Sequence, residues 1–109
     1  YNILLKNINL YNLNVAMKNN KIIQVRKQLD LLDNKFLDLI KKRTKLVNVI
    51  VQNKKYKKEI VDKKRIKKII NIIRKKSIKK NIDPIITKTI WINMIRAYIK
   101  YEYRVFKKK

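Results

Sequence analysis

The sequence predicts an all-α chain of three helices, the first of them long. Three observations carry this expectation. Between Val25 and Lys54 the apolar residues Leu29, Leu32, Phe36, Leu39, Leu46 and Ile50 recur at heptad spacing, the period of one helix face. Asp62 and Asp83 stand where two further helices need N-caps, and Pro84 follows the second of them. No segment reads as a strand, because the Ile-rich stretches have helical spacing and the Asn-Gly type of hairpin turn is missing.

The first helix is expected from about Lys21 to about Lys54, on the order of 50 Å at the helical rise. No Gly or Pro interrupts it. That length exceeds what the rest of a small chain can cover, so a partner chain or an antiparallel neighbour is implied. Lys55 to Val61 reads as a polar connection. Asp62 then caps a second helix over Lys63 to Lys79, since a carboxylate accepts the free amide hydrogens of a first turn. Ile66, Ile69, Ile70 and Ile73 form its apolar face. Asn81-Ile82-Asp83-Pro84 punctuates the chain. Pro84 is tolerated at a first helical position, and the third helix runs to about Phe106 with Ile86, Ile90, Met94, Ala97, Tyr101 and Val105 at helical spacing. The tail, Lys107 to Lys109, is expected in solvent.

Residues 1–16 read apart, rich in Asn and Leu with Lys6 as their one charge. Met17 can serve as a native start. Two parts follow: 1–16, an N-terminal extension or a foreign segment, and 17–109, a helical domain.

Composition excludes several chemistries. The 109 residues fit one domain, and 46% hydrophobic content suffices for a core, especially one shared by two copies. With no Cys and no His, disulfides, thiolate chemistry, Ser-His-Asp catalysis and the usual transition-metal ligands are absent. With no Gly, glycine-rich phosphate loops are absent too. The net charge of +24 raises a nucleic-acid or acidic-membrane partner. The over-use of Lys, Asn and Ile also fits a genome drifting towards A and T, and the charge is spread over every solvated face. A nucleic-acid partner is therefore not the first reading. No apolar run reaches the ~18 residues of a membrane span, and Asn breaks up the apolar residues of the N-terminus, so no signal peptide and a cytoplasmic protein are expected.

The cations on the long stripe need a reason, because an unpaired buried charge is costly. Arg43 interrupts the stripe, and Arg26 and Lys54 edge it. Arg26 and Arg43 are 17 residues apart, roughly 25 Å along a helix. One small molecule cannot touch both on one helix, so if both serve one site Arg26 comes from a second copy. Arg43 and Lys54 are 11 residues apart and share a face. They can converge on an anion, or snorkel out of the seam, or pair with Asp33 and Glu102.

The ordered set of Arg26, Leu32-Asp33, Arg43, Lys54, and Asp62 with Arg65 resembles the all-helical chorismate mutases of the AroQ class. The run VRKQLDLLDNKFLDLIKKRTKLVNVIVQNKK, then IVDKKRI, then NIDP before a last helix carries the likeness, over about Ile22 to Phe106. The resemblance implies an intertwined homodimer of three-helix chains whose sites draw on both copies. It implies the rearrangement of chorismate to prephenate, a step of aromatic amino-acid biosynthesis. That one-substrate reaction needs no metal or cofactor; it needs a reactive conformer held and charge on the breaking ether oxygen stabilised. By resemblance, Arg43 and the partner copy's Arg26 hold the substrate carboxylates, which suit the planar guanidinium fork. Lys54 donates to a carboxylate and to the ether oxygen. Asp62 and Arg65 shape the wall near the ring hydroxyl. Three of the six arginines fall on family positions in a chain that otherwise prefers Lys.

Three positions depart from the family pattern. Ile66 stands where many members have a Glu that accepts from the substrate hydroxyl. Tyr98 replaces a Ser or Thr, keeping a hydroxyl and adding bulk. Glu102 replaces a Gln that donates to the ether oxygen. A carboxylate must carry a proton to donate, so activity is expected to fall as pH rises above mildly acidic values. Trp91 and the cluster Tyr98, Tyr101, Tyr103 and Phe106 are read as core or dimer interface, and the paired lysines from Lys54-Lys55 to Lys75-Lys76 as solvated faces. Beside the mutase stand an isochorismate pyruvate lyase of the same fold, a decayed mutase kept as a scaffold, and a small basic helical nucleic-acid binder. The last predicts Arg26, Arg43 and Lys54 facing solvent.

Overall fold

The computed structural model describes residues 2–108, with side chains from residue 9 onward. Tyr1, at the start of the extension, and Lys109, at the end of the expected tail, lie outside the described residues. Three α-helices follow in order: α1, Asn2–Asn53; α2, Lys63–Lys79; and α3, Pro84–Lys107. A 3-10 turn, Lys57–Glu59, lies between α1 and α2. Among the described residues there is no strand, and no helix is long and apolar enough to cross a membrane.

Helix α1 starts far earlier than the expected Lys21. The change in composition near Ala16 suggested a boundary, but composition alone does not end a helix. A breaker does, and residues 2–53 contain neither Gly nor Pro. At 52 residues α1 is ~80 Å long. Helix α2 has the expected bounds. The Asp62 carboxylate accepts from the Arg65 amide at 3.0 Å, which satisfies an orphan donor of the first turn. The Asp83 carboxylate accepts from the Ile85 amide at 2.9 Å, with Pro84 in the first turn of α3.

The end of α2 shows what a chain without glycine does at a left-handed position. Asn81 has φ 57°. Its amide bonds the Ile78 carbonyl at 3.2 Å, and the Ile82 amide bonds the Ser77 carbonyl at 2.9 Å. This is the Schellman arrangement, in which Asn is the usual substitute for Gly.

The chain divides into two units, Tyr1–Lys42 and Arg43–Lys109. In the first, helix α1 exposes its stripe: Leu29, Leu32, Phe36 and Leu39 are each 50% exposed or more. The expectation of a buried stripe is not met within one chain, because 109 residues hold too little chain to cover so long a rod. In the second unit, Val51 and Ile60 are the buried hydrophobic residues. Lys55 to Val61 is thus more than a polar connection, since Ile60 within it is core. Ser77 is buried and bonded, donating to the Ile73 carbonyl at 2.6 Å and sharing a hydrogen with the Thr87 hydroxyl at 2.7 Å, which ties α2 to α3. The paired lysines from Lys57 to Lys76 are exposed, while Trp91, Tyr98, Tyr101, Tyr103 and Phe106 are half-buried.

Candidate active site

The second unit contains a cleft of about 410 Å³. Arg43, Leu46, Val47, Ile50 and Lys54 face it from α1, Glu59 and Ile60 from the connection, Asp62, Arg65, Ile66 and Ile69 from α2, and Ile95, Ile99 and Glu102 from α3. Six of the residues singled out in the sequence therefore meet here: Arg43, Lys54, Asp62, Arg65, Ile66 and Glu102. The spacing explains it. Arg43, Val47, Ile50 and Lys54 follow one another at three- and four-residue steps and so share one face of α1. Ile95, Ile99 and Glu102 do the same on α3. A mostly aliphatic wall with a few convergent charges is the usual composition of a small-molecule site.

Lys54 donates to the Glu102 carboxylate at 3.1 Å, with the two side chains 17% and 11% exposed. One of the alternatives open at the level of sequence, a Lys54–Glu102 pair, is thus realised. It does not remove Lys54 from the cleft, which both residues line. Arg43 is half-buried. Its Nε is buried with no hydrogen-bond partner among the described residues. A desolvated guanidinium nitrogen without an acceptor is costly unless something anionic completes it.

Tyr98 stands behind Arg43 and is not part of the cleft wall. Its ring lies 5.4 Å from the Arg43 guanidinium carbon, and its hydroxyl shares a hydrogen with the Thr44 hydroxyl at 2.8 Å. The added bulk noted in the sequence is taken up there. Arg26 belongs to the first unit, where it is exposed on α1 beside Ile22 and Val25.

Sequence reading missed Glu59. It accepts from the Tyr56 amide at 3.2 Å and faces the cleft. A signal was present: Glu59 and Glu102 are the only glutamates in a chain of 31 cations, and both line this cleft.

The pattern of the chorismate mutase type II family matches residues 25–103. The chain belongs to that family. Membership carries the family's activity, an intramolecular isomerisation of chorismate to prephenate. Searches of curated proteins and of solved structures give no significant match.

Proposed function

We propose that this chorismate mutase acts as a homodimer, with the cleft of the Arg43–Lys109 unit as its substrate site, completed by Arg26 of a second copy. The observation that carries the reading is the charge balance of the cleft. Arg43, Lys54 and Arg65 face Glu59, Asp62 and Glu102, so within one copy the cations and carboxylates cancel while Glu102 is ionised and leave a single positive charge when it carries a proton. A dicarboxylate needs a net positive site, and a further arginine from a second copy supplies it. The exposed stripe on α1 gives that copy something to pack against.

In this reading Arg43 and the second copy's Arg26 bind the two carboxylates. Lys54, oriented by Glu102, meets a carboxylate and the ether oxygen, where charge develops as the bond breaks. Glu102 donates to the same oxygen when it carries a proton. Asp62, whose capping bond holds the first turn of α2, and Arg65 shape the wall by the ring hydroxyl. Ile66 cannot accept from that hydroxyl. Glu59, on the same cleft, is the carboxylate able to do so. Residues 17–109 form the catalytic domain and 1–16 an extension of its first helix. No metal or cofactor takes part, and a chain without cysteine is suited to the cytoplasm. Nucleic acid is not the physiological partner in this reading, since half-buried Arg43 and Lys54 are poorly placed to meet phosphates.

The test is chorismate disappearance with product identification, on the native chain and on Lys54→Ala. Prephenate is the expected product. Pyruvate from isochorismate would instead assign the lyase. Lys54→Ala is expected to lose about 10²–10³ in kcat, the cost of removing one donor to a developing oxyanion. Unchanged turnover would take Lys54 out of the mechanism.

A further inference from the structure

We propose that Tyr98 is a positioning residue for Arg43: its ring forms a fixed seat that aims the guanidinium into the cleft. The inference rests on the reading of that cleft as a dicarboxylate site.

A guanidinium over an aromatic face is held by the ring quadrupole, more strongly where water is excluded. Arg43 has that contact, at 5.4 Å from the Tyr98 ring. It makes no ion pair among the described residues, so no carboxylate at ion-pair distance among them sets its direction. A seat is useful only if it is itself immobile, and Tyr98 is held at two points. Its hydroxyl is bonded to Thr44 at 2.8 Å, one residue along α1 from the arginine it supports. Its ring meets Tyr101 edge to face, with centroids 6.3 Å apart and an interplanar angle of 89°, a favoured aromatic geometry. Tyr101 is anchored in turn, donating to the Asn48 side-chain oxygen at 2.7 Å. Thr44 and Asn48 are one turn apart on α1, and Tyr98 and Tyr101 one turn apart on α3. Two successive cross-helix bonds therefore fix the tyrosine beneath Arg43.

This also accounts for the tyrosine where the family pattern has a small hydroxyl residue. Ser or Thr on α3 is too short to reach under the guanidinium. Tyr98 keeps a hydroxyl, but directs it to Thr44.

The test is a double-mutant cycle. Binding of cis-cyclohexane-1,3-dicarboxylate is measured by calorimetry, alongside kcat and KM for chorismate. Tyr98→Leu, Tyr98→Phe and Thr44→Val are each made in the native chain and in Arg43→Ala. In the native background Tyr98→Leu is expected to weaken dicarboxylate binding about tenfold, the upper part of the range for a desolvated cation–ring contact. KM rises in parallel. Tyr98→Phe keeps the ring and loses about threefold, and Thr44→Val, which deletes the same hydrogen bond, loses about as much. Combining these two costs no more than either alone. With Arg43→Ala all of these losses fall below about twofold, because the residue they act through is gone. Equal losses in both backgrounds would overturn the proposal. Should Tyr98→Leu fail to fold, the Thr44→Val and Tyr98→Phe cycles decide the matter in the same way. A native chain that binds the dicarboxylate but leaves chorismate unchanged refutes the function and not the seat. One that does not bind the dicarboxylate refutes the reading of the cleft, and the seat with it, whereas equal losses in both backgrounds refute the seat alone.

Discussion

The two units of this chain use apolar residues in opposite ways. In Tyr1–Lys42 a bare helix carries large hydrophobic side chains into solvent, Phe36 at 59% exposure among them. In Arg43–Lys109 fewer apolar groups are exposed per turn, helices α2 and α3 are bonded through Ser77 and Thr87, and a charged cleft opens among aliphatic side chains. The second unit holds nearly every feature of a site. The first holds an apolar stripe and one arginine. An isolated helix gains little from such a stripe, since tertiary packing is what usually stabilises amphipathic helices. On the proposed reading the first unit is the assembly part of the molecule, and Arg26 reaches a site only through a second copy.

The comparison breaks most completely at Phe36. Phe36→Asp places a charge on the stripe without touching the cleft. The expected outcome is loss of the dimer in analytical ultracentrifugation together with loss of prephenate formation, by at least about 10³-fold if the site is completed only in the dimer. The melting temperature of the native chain is expected to rise with its concentration, as it does when association stabilises the fold. A monomeric Phe36→Asp chain with native turnover would show that the two units have nothing to do with each other.

A mixing experiment tests the same division with a smaller, quantitative effect. Arg26→Ala and Lys54→Ala are each expected to be nearly inactive. Unfolded and refolded together, half of the dimers are mixed, and each mixed dimer has one site carrying both lesions and one carrying neither. About a quarter of native turnover should return, as closed two-fold symmetry requires. No recovery would place both residues of a site on one copy.

How much of this was legible beforehand depended on the kind of signal. The caps were local chemistry, so Asp62 and Asp83 were read correctly with the helices they start. The cleft residues Arg43, Leu46, Ile50 and Lys54 of α1 were legible because helical spacing puts them on one stripe. On α3 the face read from spacing runs through Ile86, Ile90, Met94, Ala97 and Tyr101, so Ile95 and Ile99 were missed and Glu102 was found as a site residue only through the family resemblance. The start of α1 was not, because a change from Lys-rich to Asn-rich sequence resembles a boundary but contains nothing that stops a helix. Ile60 and Glu59 were hidden in a seven-residue connection of mostly polar residues, where no periodicity exists to separate buried from exposed. Tyr98 was noticed as a departure, yet its role depends on Thr44 lying 54 positions away, a contact no spacing rule reports. The Lys54–Glu102 pair, 48 positions apart, was anticipated only because charges of opposite sign are few on one side of the ledger.

Glu102 sharpens the comparison within the second unit. It is buried and accepts from Lys54, so in this state it acts as an acceptor. To donate to the ether oxygen it needs a proton, which a glutamine in its place does not. Glu102→Gln supplies that donor and still accepts from Lys54 through its side-chain oxygen, so it is expected to keep or raise kcat, while Glu102→Ala loses about 10²-fold. A Glu102→Gln chain as slow as Glu102→Ala would remove the donor role.

The smallest effect concerns Glu59 and Ile66, on the same cleft but on different elements. If Glu59 accepts the substrate hydroxyl in place of the glutamate missing at Ile66, Glu59→Ala should raise KM about fivefold, the scale of one ordinary hydrogen bond of about 1 kcal/mol, with kcat little changed. Ile66→Glu should then return most of that loss, because the new carboxylate lies one turn into α2 beside Arg65, which offsets its partial burial. In the native chain the same substitution should gain little or nothing, since the hydroxyl already has its acceptor. An equal gain in both backgrounds would mean that position 66 acts independently and that Glu59 serves only to hold the Tyr56 amide. The asymmetry between the two backgrounds is therefore the quantity to measure, and it separates a relocated acceptor from a missing one.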